Sequence, residues 1–475
     1  MYHKEIDNVL SRIQTAFSGC ADFNSRRLCF SGNKVAYLLN IGSYTDRDYI
    51  SEGIIMPLLR LSRAPKDKEE IFGLITCSEL TELTSAEESI SKLLSGFAVI
   101  LTETDKGFYI FCCQVRMVAS RSVSEPDNDV VIRGPREGFI ESSEDNLALL
   151  RKRFKTTKFK SIRLTSGQYT DTTVYICYID GIARQETVRR VKAIIESMNI
   201  TGIIDSGYIE HYLQKKSPSL FTNTGSCEKP DIVAAKMLEG RIAVICEGSP
   251  AVLTVPFLFI ESLQSPEDYL KTPLYASFMR ILRFISAIAA LYLPAFYLSS
   301  VEHHTSALPY KVYKALIEQR RDVPFDITGE LITILLIFEI IREVGLRMPR
   351  AVGNAVGIVA GLILGDAAIS AKIASAPVIM VASLSAVCTF IIPSFMNSIV
   401  IARFINIILA KFFGFPGIIL SFCFITVCLV RKESFGVPYM LTLSPITAKG
   451  LCDSLIAIPK KALKDTKDSL YTERD

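Results

Sequence analysis

Three carboxylates interrupt apolar stretches of this chain: Glu330, Glu339 and Asp366. An ionised carboxylate is expensive to bury in lipid, so such a residue ordinarily faces a cavity, a counter-ion or a partner. The chemistry on offer is ion handling or helix pairing. Glu330 and Glu339 are nine residues apart, which puts them on opposite faces of a straight helix, so they cannot both line one pathway. Glu339, Glu343 and Arg347 follow one another at i, i+4 and i+8. With Arg342 next to Glu343, this is most simply a ladder of ion pairs at the cytoplasmic helix end, with a conduction role for Glu339 as the alternative. Asp366 and Lys372 either pair across a bend or rim a pore. His303-His304 has no third ligand nearby and reads as a solvated loop pair, so no metal and no cofactor is expected. The stretch Arg133 to Phe139, RGPREGF, has the glycines of a phosphate loop. It lacks the following Lys-Ser/Thr and Pro135 removes a donor, so a structured turn is expected there. A Walker A pattern, a G-x-S-x-G elbow and carboxylates paired beside a histidine are all missing from the sequence, which argues against an enzyme.

The most unusual spacing belongs to glycine. Gly353, Gly357, Gly361 and Gly365 recur every fourth residue and form one stripe on a helix. In water each interior glycine would cost about 0.5–1 kcal/mol relative to alanine. In lipid the stripe lets another helix approach closely. Val352, Val356, Ile358, Val359, Leu362 and Ile363 cover the other faces, and Asn354 is the one polar side chain within the run. Two readings follow: a tightly packed intramembrane helix at the axis of an oligomer, or an ordinary helix contact within one subunit.

The elements that position these residues lie in a chain of two characters. Of its 475 residues 49% are hydrophobic, and the long apolar runs all fall after residue 275. Residues 276–475 carry 20 Lys and Arg against 14 Asp and Glu, a balance of +6, whereas residues 1–275 carry 33 against 35. A basic membrane half is expected where cationic side chains anchor helix ends on one side. No basic run is interleaved with aromatics, so nucleic acid is not an expected partner. The twelve cysteines are scattered without a C-x-x-C pair, a reduced-thiol pattern. The charged, amphipathic start MYHKEIDNVLSRIQ is not a signal peptide, so the N-terminal part is expected to stay in the cytoplasm.

The expected fold is α+β. Tandem α/β subdomains occupy residues 1–120 and 121–275, a transmembrane helical domain of four to five spans residues 276–432, and a cytoplasmic tail residues 433–475. The two subdomains read as a duplication: LLSGFAVILTETDKGFYI at 93–110 aligns with MLEGRIAVICEGSPAVLT at 237–254, matching Gly96 to Gly240, while Gly42 matches Gly181. A hairpin is expected around Asp105-Lys106-Gly107. Spans are expected at 284–301, 327–341 and 376–393, with one long or two short spans over 404–430 and a polar loop between 302 and 326. The glycine stripe has about 15 residues between its flanking charges, roughly 22 Å of helix, so an incomplete crossing is expected.

At this point the chain resembles a known family. VVIRGPREGF at 130–139, IIDSGYIE at 203–210, EKPDIVAAKMLEGRIAV at 228–244, QSPEDY at 264–269, FEIIREVGLRMPRAVGNAVGIVAGLILGDAAI at 338–369 and SFGVPY at 434–439 occur in the order found in A subunits of bacterial spore germinant receptors, the GerA family. The resemblance implies a multi-pass protein of the spore inner membrane with its N-terminal domain facing the spore core. It implies a homo-oligomer, of pentameric type, embedded in membrane lipid and partnered by B and C receptor subunits. It further implies a nutrient-gated channel releasing monovalent cations, its pore lined by the stripe helix. On that reading Asn354, Ile358, Val359 and Leu362 line or gate the pore, the four glycines pack against the neighbouring helix, and Glu330, Glu339 and Asp366 are the intramembrane charges. An accessory channel of the same family from the SpoVA operon, a non-conducting scaffold and a secondary transporter are the alternatives. The chain departs from the family pattern at 302–310 and 320–326, which leaves partner contacts in that loop open.

Overall fold

Two five-stranded antiparallel sheets of identical strand order make up the N-terminal part. The computed structural model describes residues 2–30, 34–61, 63–77, 79–115, 134–214, 220–269, 271–348, 361, 365–441, 443, 454, 456 and 457. In the first sheet β1 (Phe23–Cys29), β2 (Val35–Ile41), β3 (Leu80–Leu83), β4 (Phe97–Glu103) and β5 (Phe108–Gln114) lie in the order β1-β2-β4-β5-β3. In the second β6 (Phe159–Ser166), β7 (Thr172–Ile179), β8 (Gly225–Cys227), β9 (Ile242–Cys246) and β10 (Val252–Val255) lie in the order β6-β7-β9-β10-β8. Adding five to each strand of the first sheet gives the second, so the inferred duplication is visible as topology. Gly96 and Gly240 enter the equivalent strands β4 and β9 with φ of 86° and 96°. Both need the left-handed region that glycine adopts without strain.

Alternation along the strands decides the layers. Ala98 and Ile100 of β4 face a cluster with Ile50, Ile54, Leu58 and Ile71. Val99 and Leu101 face the opposite cluster, with Leu10, Ile13 and Leu93 from helices Tyr2–Ala16 and Ala86–Leu94 and with Phe17 just past the first of them. The sheet is thus covered on both faces, each large aliphatic contributing about 1.5–3 kcal/mol by burial. In the second sheet Tyr175, Cys177, Ala243 and Ile245 pack on Leu147, Leu150, Val233 and Met237. The two halves are joined by a buried ion pair. Arg151, on helix Ser143–Arg153, donates to both carboxylate oxygens of Asp22 at 2.7 and 3.2 Å, and Ser43 and Ser161 donate to the same carboxylate.

From Leu258 onward, together with residues 220–222, the chain forms a second unit, which is helical. Among its described residues the helices include Pro273–Glu302, Tyr310–Arg320, Ile327–Arg347, Ala376–Phe390, Met396–Phe413 and Phe415–Arg431. Pro273–Glu302 and Pro393–Phe413, at 30 and 21 residues, are long and apolar enough to cross a membrane, and Ala376–Phe390 and Phe415–Arg431 are shorter apolar helices. The stretch 404–430 resolves as parts of two helices meeting at Gly414, whose φ of 59° and ψ of −140° suit only glycine. The loop expected between 302 and 326 contains the helix Tyr310–Arg320. The QSPEDY stretch serves the first long helix: Asp268 accepts from Arg283 at 2.6 and 3.0 Å and from Arg280 at 3.3 Å.

Candidate functional site

The polar centre of the helical unit begins with a proline. Pro294, inside helix Pro273–Glu302, has no N–H to give the carbonyl four residues earlier. That carbonyl, Ala290, instead accepts from Ser385 Oγ at 2.8 Å. The next carbonyl, Leu291, accepts from Asn406 Nδ2 at 3.2 Å, and Asn406 Oδ1 accepts from Ser421. In a lipid environment every freed backbone group needs a protein partner, and small hydroxyls and amides on facing helices supply it.

Ser385 also carries the network outward. Arg403, fully buried in helix Met396–Phe413, donates through Nη1 to Ser385 Oγ at 3.1 Å and through Nη2 to Glu339 Oε1 at 2.7 Å. Arg342 approaches the other oxygen of Glu339 at 2.6 Å. Glu339 therefore bridges two guanidinium groups and ties helix Ile327–Arg347 to helix Met396–Phe413. The ladder expected along one helix is present as two ion pairs, Glu339–Arg342 at 2.6 Å and the exposed Glu343–Arg347 at 2.7 Å. Glu339 also reaches another helix because Arg403, buried in the apolar interior, needs a counter-charge.

Glu330 is buried separately. Arg320 donates to its Oε1 at 2.7 and 2.9 Å, and the backbone N–H and hydroxyl of Ser375 donate to its Oε2 at 2.9 and 2.8 Å. Both oxygens are satisfied, and Glu330 fixes the start of helix Ala376–Phe390 against the start of its own helix. A third set of contacts joins helix ends at the same level. Lys411 reaches Glu302 at 3.2 Å and Asp326 at 2.9 Å. His303 Nε2 lies 2.9 Å from the Lys411 carbonyl, and His304 stacks on Phe415 with centroids 4.6 Å apart. The histidine pair packs a helix end. Lys372 pairs with Asp322 at 2.6 Å and not with Asp366, which is exposed.

Of the residues assigned to a pore or its packing, Gly353, Asn354, Gly357, Ile358, Val359 and Leu362 lie outside the described residues. Gly361 and Gly365 are described. Among the described residues no atom lies within 4 Å of where a Cβ would stand at either one. In the N-terminal part, Glu137 of the RGPREGF stretch accepts from Lys152 and Arg153 at 2.6 and 2.9 Å, and Phe139 N–H donates to the Glu228 carbonyl at 2.7 Å. The segment is an anchored strap with no helix N-terminus following it until Ser143. The sequence reading missed Arg403 and Asn406. The signal that should have found them is the one applied to Glu330: a charged or amide side chain inside an apolar run such as 396–413.

The sequence matches the family model described as Bacillus/Clostridium GerA spore germination protein over residues 11–469. Spore germination protein KA of Bacillus subtilis (strain 168) is 34% identical over 448 residues, covering 92% of this chain and 81% of that protein. The membrane protein YfkQ of the same organism is 32% identical over 455 residues, covering 95% and 88%. A solved structure, the N-terminal domain of the A subunit of the Bacillus megaterium spore germinant receptor GerK3, aligns at 22% identity and a TM-score of 0.38 over 53% of this chain and 94% of that one.

Proposed function

The chain belongs to the GerA family of spore germination proteins, and from that premise we propose that it forms an oligomeric, nutrient-gated channel for monovalent cations. In this reading it is a germinant receptor A subunit of the spore inner membrane, working with B and C subunits, with its two-sheet module facing the spore core. The observation that carries the pore assignment is that no atom of the described residues stands against Gly361 or Gly365. A glycine stripe used for packing within the subunit would have a neighbour against it. Gly361 and Gly365, free of close contacts among the described residues, are available to a second copy.

The ends of the flanking helices support the same reading. Lys372 and Ser375 are bound to Asp322 and Glu330, at the start of helix Ile327–Arg347. Met348 is at the other end, about 31 Å away for 21 residues at 1.5 Å each. The chain thus changes level between Met348 and Lys372, which favours a complete crossing by the stripe over the incomplete one expected from its length. Counting that crossing with helices Pro273–Glu302, Ile327–Arg347, Ala376–Phe390, Met396–Phe413 and Phe415–Arg431 puts Arg280, Arg283, Arg347 and Arg431 on one side, as the positive-inside rule requires. The gate is the apolar ring formed by Ile358, Val359 and Leu362 around the axis, closing by dewetting. Single substitutions Val359→Ala and Leu362→Ala in cells producing the protein test this by potassium release. Constitutive leakage is expected, and silence of every single substitution across 356–364 overturns the assignment.

A further inference from the structure

We propose that helix Tyr310–Arg320 is an interfacial helix that rests one flank in the lipid headgroup and upper acyl region, on the side of the membrane opposite the Arg347 helix end. None of its eleven residues is buried, yet it is tethered firmly. Tyr313, Leu316 and Arg320, at i, i+3 and i+7, are its half-buried residues. Leu316 packs on the apolar core of the helical unit and Arg320 holds Glu330. At 100° per residue this inner stripe has Ile317 and Tyr310 on one flank, while Lys311 and Glu318 point directly away. Ile317 and Tyr310 are 46% and 76% exposed, a large apolar surface to leave open among the described residues.

The level of the helix identifies the occupant. Its two ends attach beside Glu302 and Asp326, the residues that Lys411 joins. At that level Phe325, Phe412 and Phe413 are also exposed, continuous with the outward apolar faces of helices Pro273–Glu302 and Phe415–Arg431, where Phe296 and Ile419 are exposed. Aromatic and aliphatic groups ringing helix ends, with Lys314 beside them to reach phosphates, form the belt by which membrane proteins sit in the interface. The partner is the lipid surface itself, with anionic headgroups favoured by Lys314.

The chain contains no tryptophan, so one introduced residue is a unique fluorescent reporter. Ile317→Trp and Lys311→Trp are made singly in the full chain, purified and reconstituted in phosphatidylcholine–phosphatidylglycerol vesicles. Lipids brominated near the headgroup should quench the Ile317→Trp protein about twofold or more beyond the Lys311→Trp protein, and aqueous iodide should show the reverse order. Equal responses at the two positions would make the flank a solvent face. Protection of the Ile317→Trp protein from both quenchers would mean that protein, a second copy of the chain, covers it. Either outcome overturns the proposal. Should Ile317→Trp fail to fold, Tyr310→Trp, an aromatic exchange on the same flank, gives the same readout.

Discussion

Glu339 is shared by two arginines, and this makes its removal costlier than the removal of Arg403. In Glu339→Gln, Arg403 keeps only the hydroxyls of Ser385 and Thr389, at 3.1 and 3.5 Å, and a neutral amide. A fully buried guanidinium left without its counter-charge costs about 3–5 kcal/mol. In Arg403→Met, Glu339 retains Arg342 at 2.6 Å, and Ser385 retains the Ala290 carbonyl. Glu339 Oε1 loses its donor but the carboxylate keeps a counter-charge, so the loss is about 1–3 kcal/mol, that of charge-assisted hydrogen bonds. The double variant Glu339→Gln/Arg403→Met should fall well short of the sum of the two, because the second substitution removes the charge the first one stranded. The assay is reversible unfolding of the purified chain in mixed micelles titrated with sodium dodecyl sulfate and followed by helical circular dichroism. If Arg403→Met costs as much as Glu339→Gln, Arg342 does not share the carboxylate and the bridging arrangement is refuted.

Three further outcomes follow from other sites. Asp22→Asn leaves Arg151 buried without its bidentate partner and should cost about 3–5 kcal/mol. Amide hydrogen exchange should show β1 and β6 losing protection together. Gly414→Ala must hold φ near 59°, with its new Cβ about 3.1 Å from the Cβ of His303, and should cost about 1–3 kcal/mol in thermal unfolding. Glu137 is held below the usual carboxylate range, first by its hydrogen bond from Lys152 and then by Arg153. Its contribution is complete above the unfolded value of about 4.3 and is lost as pH falls through the lower folded one. Glu137→Gln should therefore flatten the acid limb of the stability profile and leave its slope near neutrality unchanged.

What was legible in the sequence was whatever had period or punctuation. The hairpin of β4 and β5 showed through two apolar runs around Asp105-Lys106-Gly107, and the duplication through Gly96 and Gly240, which need φ values open to glycine. Strands β1 and β6 were not legible. Both are edge strands, and FNSRRLC exposes five of its seven residues, four of them consecutive, so it carries polar side chains where a central strand would alternate. Helix Tyr310–Arg320 was hidden similarly, because its inward stripe is Tyr, Leu and Arg, and the arginine reads as a surface residue until Glu330 is found beneath it. Of the polar site, Glu330 and Glu339 were picked out by burial cost, but their partners lie 45 and 64 residues along the chain at Ser375 and Arg403. No local spacing encodes those pairings. The link between Pro294 and Ser385 has the same character: the proline announces a freed carbonyl, and only the packing of two helices says which hydroxyl answers it.

The most direct measurement is the current carried by the purified chain in a planar lipid bilayer under a potassium gradient. A pore at the glycine stripe predicts cation-selective current from the Val359→Ala protein in the absence of any nutrient, above that of the unmodified chain. A bilayer that stays silent with both proteins, when each is inserted and oligomeric, would contradict the channel.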